Sequence, residues 1–246
     1  MTNAAGGFPS LAHLVERFGL SRVQSEQLTR FGRLLVNDEH APTTLREPIS
    51  VRDDHLADAL VALDLRAIHA ATNLADLGAG AGVPGIPLAI ASPATNVALL
   101  DGNGRKCEYI RAVVADLGLG NVDVVHTRAE MWKRGLGRFD VVTARALAPL
   151  DVVAEYAAPL LKSGGALVAW RGRRDPDEEA TGARAAAILG LSVLEPHPVE
   201  PYPGALNRHL HVMLKTGPTP ERFPRRDGVA RKRPLGREPL ARIPRI

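Results

Sequence analysis

The sequence has little of what disulfide-rich, metal-binding or membrane proteins are built from. Its single cysteine, Cys107, excludes an internal disulfide and a metal site made of cysteines alone. The eight histidines show no ligand spacing, so we predict no metal. No apolar run is long enough to cross a bilayer, and the first 20 residues carry Glu16 and Arg17, unlike a signal peptide. We therefore expect a cytoplasmic protein with no membrane partner.

Positive charge is concentrated near one end of the chain. Residues 217–246 hold nine Arg or Lys against three acids, a net charge of +6, so the other 216 residues carry −2 of the total of +4. Six prolines in this stretch exclude a long helix, because each lacks a backbone N–H and restricts the residue before it. The stretch is either a solvated tail or an arm that binds phosphates.

The pattern of apolar residues divides the chain into three parts. Residues 1–70 are predicted to be a helical extension, in which Ser21 and Gln24 form a capping box that opens a second helix. A loop is predicted at residues 40–48, and a third helix is predicted to follow Ser50. Residues 71–216 are the predicted central domain, and residues 217–246 are the basic, proline-rich arm.

From Asn73 onward, short apolar segments rich in Val and Leu alternate with helical stretches, which predicts a parallel sheet with crossover helices. The predicted strands are Asn73–Leu77, Val97–Leu100, Val122–His126, Phe139–Ala144, Ala166–Arg171, Leu191–Glu195 and Leu210–Lys215. The predicted helices between them are Pro84–Ala91, Arg105–Leu117, Leu150–Leu161 and Asp175–Leu189. Only a proline-rich link separates the last two strands, so the final strand is expected to run antiparallel. This is an α/β, Rossmann-like sheet of seven mostly parallel strands, the class I methyltransferase variant of the doubly wound fold.

A glycine-rich turn follows the first predicted strand. Asp76 lies near the end of that strand, and Gly78, Gly80 and Gly82 let the backbone pass close to a ligand at the carboxyl edge of the sheet. A dinucleotide site is the alternative, but Val83 stands where its third glycine would be. S-Adenosylmethionine has no phosphate and carries a cationic sulfur, which suits a turn preceded by an acid.

Two further acids follow the next strands. Asp101 comes 23 residues after Gly78, where a carboxylate can accept both ribose hydroxyls of NAD or of adenosylmethionine. A cap of the following helix is the alternative role for this acid. Ala129 and Glu130 follow the third strand, where a backbone amide and a carboxylate can meet an adenine edge. Three such loops after three successive strands favour an adenosine-containing cofactor.

The residues after the glycine turn suggest a family. The run from Asp76 to Leu88 reads D-L-G-A-G-A-G-V-P-G-I-P-L, and it resembles a block of the bacterial 16S ribosomal RNA methyltransferase G family, also called glucose-inhibited division protein B. The resemblance covers residues 73–235. The N-terminal part departs from the family's Trp-Asn and Tyr-Asn-Leu-Thr pattern at residues 36–44, although His55 and Asp58 stand at the family's usual His and Asp.

The resemblance implies methyl transfer from S-adenosylmethionine to N7 of a guanine in 16S ribosomal RNA, either free or in the 30S subunit. It also implies that Gly78, Val83, Ala129, Glu130 and Arg145 bind the cofactor. With the strand-end acids and Gly80, the predicted cofactor-binding site comprises Asp76, Gly78, Gly80, Val83, Asp101, Ala129, Glu130 and Arg145.

The implied chemistry needs no general base. Guanine N7 attacks through a lone pair and loses no proton, so catalysis is mostly positioning. Arg145 only donates hydrogen bonds and is not a base at neutral pH. We expect it to orient the ligand or the O6 edge of guanine, with a surface ion pair as the alternative. Cys107 opens a helix after the second strand, which favours a small packing residue over a nucleophile.

RNA contacts are expected from basic residues on strand-end loops and in the arm. The predicted RNA-binding residues are Arg171, Arg173, Arg174, Arg208, Arg225 and Arg226. Trp132 and Trp170 are candidates for base stacking, but packing in the core or at its rim is the better interpretation.

Two other functions remain open on the sequence alone. One is a small-molecule methyltransferase, against which the basic arm argues. The other is a catalytically silent ribosome-binding protein, against which the intact acids and glycines of the cofactor loops argue. We expect a monomer whose partner is 16S ribosomal RNA or the 30S subunit.

Overall fold

The computed structural model describes residues 7–236. The N-terminal region begins with helices α1 (Ala12–Phe18) and α2 (Arg22–Asn37). The predicted capping box is confirmed: the Ser21 hydroxyl accepts a hydrogen bond from the Gln24 amide, and the Gln24 side chain accepts one from the Ser21 amide. This exchange satisfies two of the amides that a helix start leaves without partners.

The third helix is composite, and its irregularity was not predicted. Residues 48–64 form helix α3, which is α-helical at Pro48–Ser50, π-helical at Val51–Ala57, α-helical again at Asp58–Leu60 and 3-10 at Val61–Asp64. It begins three residues before the predicted start, because the Glu47 side chain caps it by accepting from the amide of Ser50 at 2.7 Å. A short helix α4 (Arg66–His69) leads into the sheet. π-Helical turns inside helices are rare and often lie at functional sites.

The predicted sheet is confirmed, with one additional short strand. Its strands lie in the order β3-β2-β1-β4-β5-β8-β6, and β7 pairs with β8. The strands are β1 (Asn73–Leu77), β2 (Asn96–Asp101), β3 (Val122–His126), β4 (Phe139–Arg145), β5 (Leu161–Arg171), β6 (Leu191–Val193), β7 (His197–Pro198) and β8 (His209–Lys215). The first five pair in parallel, and β8 runs antiparallel to both β5 and β6. The two-residue β7 falls within the proline-rich link, where sequence pattern predicts no strand.

Helices cover both faces of this sheet. The crossover helices are α5 (Gly85–Ala91), α6 (Gly104–Leu117), α7 (Leu150–Ala157) and α8 (Pro176–Leu189). On one face, Leu28, Phe31 and Leu56 of the N-terminal helices share a buried cluster with Leu74 and Leu99 of the sheet. The helical extension therefore packs directly on the central domain, and this contact brings α3 to the carboxyl end of β4. No helix within residues 7–236 is long and apolar enough to span a membrane.

The first part of the basic arm is folded against the domain. The C-terminal segment, residues 217–236, buries Phe223 and Ala230 in the cluster formed with α7 and α8, and it contains the short helix α9 (Val229–Lys232). Arg225 donates two hydrogen bonds to the carboxylate of Glu155, which is 1% exposed. The rest of the predicted arm, residues 237–246, lies outside the described residues.

Candidate functional site

The glycine turn after β1 has the backbone geometry that its sequence predicts. Gly78, Gly80 and Gly82 adopt φ values of 68°, 57° and 89°, a region that side chains disfavour. A Cβ on Gly78 would lie 2.6 Å from the Leu147 side chain. The amide of Gly80 donates to the Asp101 carboxylate at 3.0 Å, which ties the turn to the end of β2.

Asp76 is fully buried beneath this turn. One of its carboxylate oxygens accepts from the Gly85 amide at 3.0 Å, and the other accepts from the Thr143 hydroxyl at 2.8 Å. Burial raises the pKa of the Asp76 carboxyl to about 7, because water no longer solvates the charged form. Asp76 does not border the cavity above it, so these contacts favour a role in shaping the turn. Direct contact with the cofactor stays a prediction.

A cavity of about 530 Å³ lies above the turn, at the carboxyl ends of β1 to β4. We call it the cofactor cavity. Such a position and volume are usual for ligand sites in open parallel sheets. It brings together four predicted cofactor residues, namely Gly78, Asp101, Ala129 and Glu130. Its wall also includes Leu77, Leu100, Gly102, Lys106, Thr127, Arg128, Ala146, Leu147, Tyr156, Gly228 and Arg231.

The two acids of the cofactor cavity are fixed by backbone amides. Asp101 accepts from the amides of Gly80 and Asn103, at 3.0 and 2.8 Å. Glu130 accepts from the amide of Gly228 at 3.1 Å. A carboxylate oxygen has two lone pairs, so each acid retains capacity to accept from a ligand. The alternative role predicted for Asp101 was to cap the next helix. Asn103 caps that helix instead, since its side chain accepts from the amide of Lys106.

The C-terminal segment forms one wall of the cofactor cavity. Arg128 pairs with Asp227 at 2.6 Å, next to the hydrogen bond between Gly228 and Glu130. Arg231 donates to the carbonyl of Leu147 at 2.9 Å. The cavity is therefore completed by residues about 150 positions along the chain from the glycine turn.

Arg145 faces a second cavity, of about 470 Å³, on the other side of the β4 carboxyl end. We call it the base cavity. Arg145 donates to the backbone carbonyl of Asp54 at 2.7 Å, to the carboxylate of Asp58 at 2.9 Å and to Nδ1 of His55 at 2.8 Å. All three acceptors lie on helix α3, and two of them lie in its π-helical part. The wall comprises Leu45, Asp54, His55, Asp58, Arg145, Ala146, Trp170, Arg171, Gly172, Val199, Arg208 and His209.

His55 is held neutral in this arrangement. Burial, and secondarily the nearby Arg145 charge, lowers the pKa of the His55 imidazole to about 4. Since Arg145 only donates, His55 Nδ1 must accept, and Nε2 carries the proton toward the Thr43 hydroxyl at 2.9 Å. Burial raises the pKa of the Asp58 carboxyl, and the Arg145 charge opposes that rise.

A second ion pair crosses the mouth of the base cavity. One oxygen of the Asp54 carboxylate, Oδ1, accepts from Arg208 at 2.8 Å and from the Tyr202 hydroxyl at 2.6 Å. Arg208 also lies 3.8 Å from the Asp58 carboxylate. The pair joins α3 to the link before β8, segments more than 140 residues apart in sequence.

The two cavities meet at one residue. Ala146 lines both, and it adopts a φ of 51°, which is uncommon for a residue with a side chain. Among the described residues, Ala146 is the one wall residue that the two cavities share, so it marks the place where they adjoin.

Comparison with known proteins shows which family this chain belongs to. A model of the rRNA small subunit methyltransferase G family matches residues 24–202. The ribosomal RNA small subunit methyltransferase G of Chloroflexus aggregans is 42% identical over 222 residues, covering 88% of this chain and 92% of the relative. The corresponding protein of Rubrobacter xylanophilus is 39% identical, covering 87% and 85%. The chain belongs to the rRNA small subunit methyltransferase G family.

Solved structures with the same fold are more distant from this family member. The S-adenosylmethionine-dependent methyltransferase SibL is 14% identical with a TM-score of 0.55, covering 85% of this chain and 78% of that one. The 16S rRNA (adenine(1408)-N(1))-methyltransferase of Catenulisporales acidiphilia is 19% identical with a TM-score of 0.51, covering 63% and 90%. At these identities the likeness shows the Rossmann-like methyltransferase fold.

The remaining predicted cofactor residue of this methyltransferase G family member is Val83. It is buried in the core cluster and donates from its amide to the Ala79 carbonyl, at 3.2 Å. It borders neither cavity, so its predicted contact with the cofactor is untested. Arg145, also predicted to bind the cofactor, borders only the base cavity.

The predicted RNA-binding arginines differ in their freedom to contact phosphates. Arg171 and Arg208 line the base cavity, and Arg171 donates to the Ala148 carbonyl at 2.6 Å. Arg174 pairs with two glutamates, and Arg225 pairs with buried Glu155. Only Arg173 and Arg226, among these six, have no ion pair with any described residue.

Both tryptophans pack, as the sequence favours. Trp170 is buried and donates to the Asp58 carbonyl at 2.7 Å, which ties β5 to α3. Trp132 packs on Phe139 with ring centroids 5.2 Å apart.

Cys107 is buried with its thiol toward the Asp101 carbonyl, at 3.4 Å. Within the described part of the chain, no group of three or more His, Cys, Asp or Glu could hold a metal ion.

The sequence pattern alone does not assign the polar residues of α3 to a site. Asp54, His55 and Asp58 are polar residues in a helix that is otherwise largely apolar. Their spacing of one and four positions places Asp54 and Asp58 on the same side of a regular helix. That signal was available, but nothing in the local pattern says that these residues meet Arg145.

Proposed function

We propose that this chain is an S-adenosylmethionine-dependent methyltransferase that methylates N7 of a guanine in 16S ribosomal RNA. One observation carries the proposal: in a member of the methyltransferase G family, a cavity with cofactor-binding chemistry adjoins a second polar cavity, and Ala146 lines both. A donor held in the first cavity and an acceptor base held in the second would face each other there.

The cofactor cavity fits the chemistry of S-adenosylmethionine. Asp101 and Glu130 present carboxylates suited to hydroxyl and amino groups, and Leu77, Leu100 and Tyr156 supply apolar and aromatic surface. When bound, S-adenosylmethionine supplies an electrophilic methyl group on a cationic sulfur. Gly78 has a positive φ and no side chain, so its backbone itself forms this part of the cavity wall.

Methylation at guanine N7 agrees with the protonation states of the base cavity. Guanine N7 already holds a lone pair, so no proton has to be removed. Both ring nitrogens of neutral His55 are engaged, by Arg145 and Thr43, and Asp58 accepts from Arg145. These residues act by holding the acceptor base at attack distance, a positioning effect that contributes several kcal/mol, up to roughly 7–11.

Contacts with RNA phosphates are expected around the two cavities. Lys106 borders the cofactor cavity, and Arg173 follows β5 beside the base cavity. These side chains and Arg226 have no acidic partner in residues 7–236, so their charges are available to phosphate oxygens. We propose that the chain acts as a monomer whose helical extension, central domain and C-terminal segment all border the reaction centre.

The test is transfer of tritium from methyl-labelled S-adenosylmethionine to 30S subunits, naked 16S RNA and a panel of small-molecule acceptors. Nuclease digestion and chromatography then identify the labelled nucleoside, and cleavage at 7-methylguanosine maps its position. Label in 7-methylguanosine supports the proposal. Label confined to small molecules, or no label in any RNA, would refute it.

A further inference from the structure

The base cavity contains hydrogen-bonding atoms that the protein does not use. Asp54 accepts only through Oδ1, and its Oδ2 makes no hydrogen bond with any residue between 7 and 236. Arg208 donates through Nη2, and its Nε is buried 3.8 Å from the Asp58 carboxylate, which leaves Nη1 without a hydrogen bond in the same range. Both side chains line the cavity and are about one-third exposed. The pair therefore presents one unused acceptor, Asp54 Oδ2, and one unused donor, Arg208 Nη1.

We propose that the Asp54–Arg208 pair reads the Watson–Crick edge of the target guanine. This inference rests on the proposed function, and it names the residues that select the base. Guanine presents the O6 acceptor next to the N1–H and N2–H donors. Arg208 would donate to O6, while Asp54 Oδ2, with two lone pairs, would accept from N1–H and N2–H.

This orientation leaves the reacting atom in the right place. Guanine N7 lies on the neighbouring Hoogsteen edge, on the far side of O6 from the N1 and N2 groups. With the N1 and N2 groups on Asp54, N7 points away from α3, and Ala146 is the point where the base cavity meets the cofactor cavity. Enzymes that modify extruded bases commonly read the Watson–Crick edge in this way.

The same pair disfavours adenine. Adenine carries an N6 donor where guanine has O6, and an N1 acceptor where guanine has N1–H. An arginine donor would then face a donor, and a carboxylate would face a lone pair. A site built to hydrogen-bond one base discriminates against another that leaves its polar groups unpaired.

The pair is held in place before any base arrives. Tyr202 donates to the Asp54 carboxylate at 2.6 Å, and Arg145 donates to the Asp54 backbone carbonyl at 2.7 Å. The Asp58 carboxylate lies 3.8 Å from the Arg208 guanidinium. Because the carboxylate and the guanidinium are already oriented, little conformational freedom is lost when the base binds.

The test compares guanosine with inosine, which lacks only the N2 amino group. The two nucleosides are placed at the mapped target position in 16S RNA by splinted ligation, and 30S subunits are reconstituted from each RNA. For the unmodified protein, we expect inosine to lower kcat/KM by about 10- to 100-fold, the effect of losing a hydrogen bond to a charged acceptor.

The decisive measurement is the ratio of kcat/KM for guanosine to kcat/KM for inosine in the Asp54→Asn variant. Removing the charged acceptor should lower kcat/KM for guanosine. It should also reduce the inosine penalty to less than about threefold, because the N2 amino group then has no carboxylate contact to lose. A residue with a merely structural role would lower activity on both substrates and leave the ratio unchanged. Asp54→Ala provides a second variant that brings no new donor into the cavity.

The matched control is Asp53→Asn, which removes an adjacent acid that pairs with Arg52 and borders neither cavity. It should keep the full inosine penalty. Calorimetric binding of S-adenosylhomocysteine and thermal unfolding confirm that each variant is folded.

The outcomes separate the two claims. No methyl transfer to guanosine-containing subunits by the unmodified protein refutes the proposed function itself. Transfer to guanosine with an inosine penalty that persists in both Asp54 variants overturns only the assignment of Asp54 and Arg208 as base-reading residues.

Discussion

Replacing Arg225 by glutamine should destabilise the protein and weaken cofactor binding together. The Glu155 carboxylate is 1% exposed and receives both of its side-chain hydrogen bonds from Arg225. Arg225 also donates to the carbonyl of Arg233 at 2.8 Å, so it fixes the C-terminal segment at two points. Arg225→Gln removes the charge that compensates Glu155 while the carboxylate remains buried.

The magnitude follows from the burial of Glu155. Removing one partner of a buried ion pair costs about 3–5 kcal/mol, because the other charge stays desolvated and unpaired. Partial release of the C-terminal segment would hydrate Glu155 and limit the loss. We therefore expect the free energy of unfolding to fall by about 3 kcal/mol. Release of the segment also removes Gly228 and Arg231 from the cavity wall and unfixes Glu130. Loss of one cofactor hydrogen bond to the Glu130 carboxylate would lower affinity by about tenfold or more.

Urea unfolding measures the first effect, and calorimetric titration with S-adenosylhomocysteine measures the second. Lys232→Gln is the matched control, since it removes one positive charge from an exposed side chain of the same segment. The double variant Glu155→Gln with Arg225→Gln should recover at least half of the lost stability, because it removes the uncompensated charge.

If Arg225→Gln changed the unfolding free energy by less than about 1 kcal/mol, as for a surface pair, and left cofactor affinity unaltered, Arg225 would not anchor the C-terminal segment through Glu155. Loss of stability without loss of affinity would show that the segment's contact with Glu130 is not needed for cofactor binding.

Three further predictions address the turn and the arm. Asp76→Asn should gain stability relative to the unmodified protein as pH rises. The raised pKa means that ionising the buried carboxyl destabilises the unmodified protein, whereas the amide does not titrate. Between pH 5 and 8 the relative gain in the free energy of unfolding should be roughly 3 kcal/mol, measured by urea unfolding. Gly85→Ala should lose about 2 kcal/mol in the same assay, since its Cβ would lie 2.1 Å from a buried leucine side chain. Replacing Arg237, Arg242 and Arg245 by glutamine should reduce the slope of log RNA affinity against log salt by about 2.

Each of these has a control within the chain. Asp123→Asn makes the same chemical change at an exposed strand position and is the matched substitution for Asp76→Asn. Gly120→Ala adds a Cβ into open space and should be nearly neutral. A pH-independent difference for Asp76→Asn, or a neutral Gly85→Ala, would contradict the geometry of the turn. An unchanged salt slope would make the arm beyond residue 236 a solvated tail.

The sheet and the glycine turn were predictable because their signals are local. Strands such as Asn73–Leu77 and Val122–His126 match the prediction at both ends, since each is a short apolar run bounded by turn residues. The positive φ angles of the turn follow from glycine itself. The cofactor cavity then follows from the rule that parallel strands place their carboxyl ends together.

The base cavity was not predictable because its contacts span the chain. His55 and Arg145 are 90 residues apart, and Asp54 and Arg208 are separated by 154. No periodicity or capping pattern encodes such pairs; they arise when the helical extension packs on the sheet. For the same reason, composition describes Arg225 only as one charge of a basic arm, whereas in the fold it neutralises a buried glutamate.

The single residue shared by the two cavities also has a kinetic consequence. The cofactor cavity has the C-terminal segment as one wall, whereas the base cavity is bounded by α3 and the link before β8, and among the described residues only Ala146 lines both. A ligand in one cavity therefore covers almost none of the wall of the other. We expect the two substrates to add in either order, with intersecting initial-velocity patterns, so that a spent cofactor can be exchanged while the RNA remains bound.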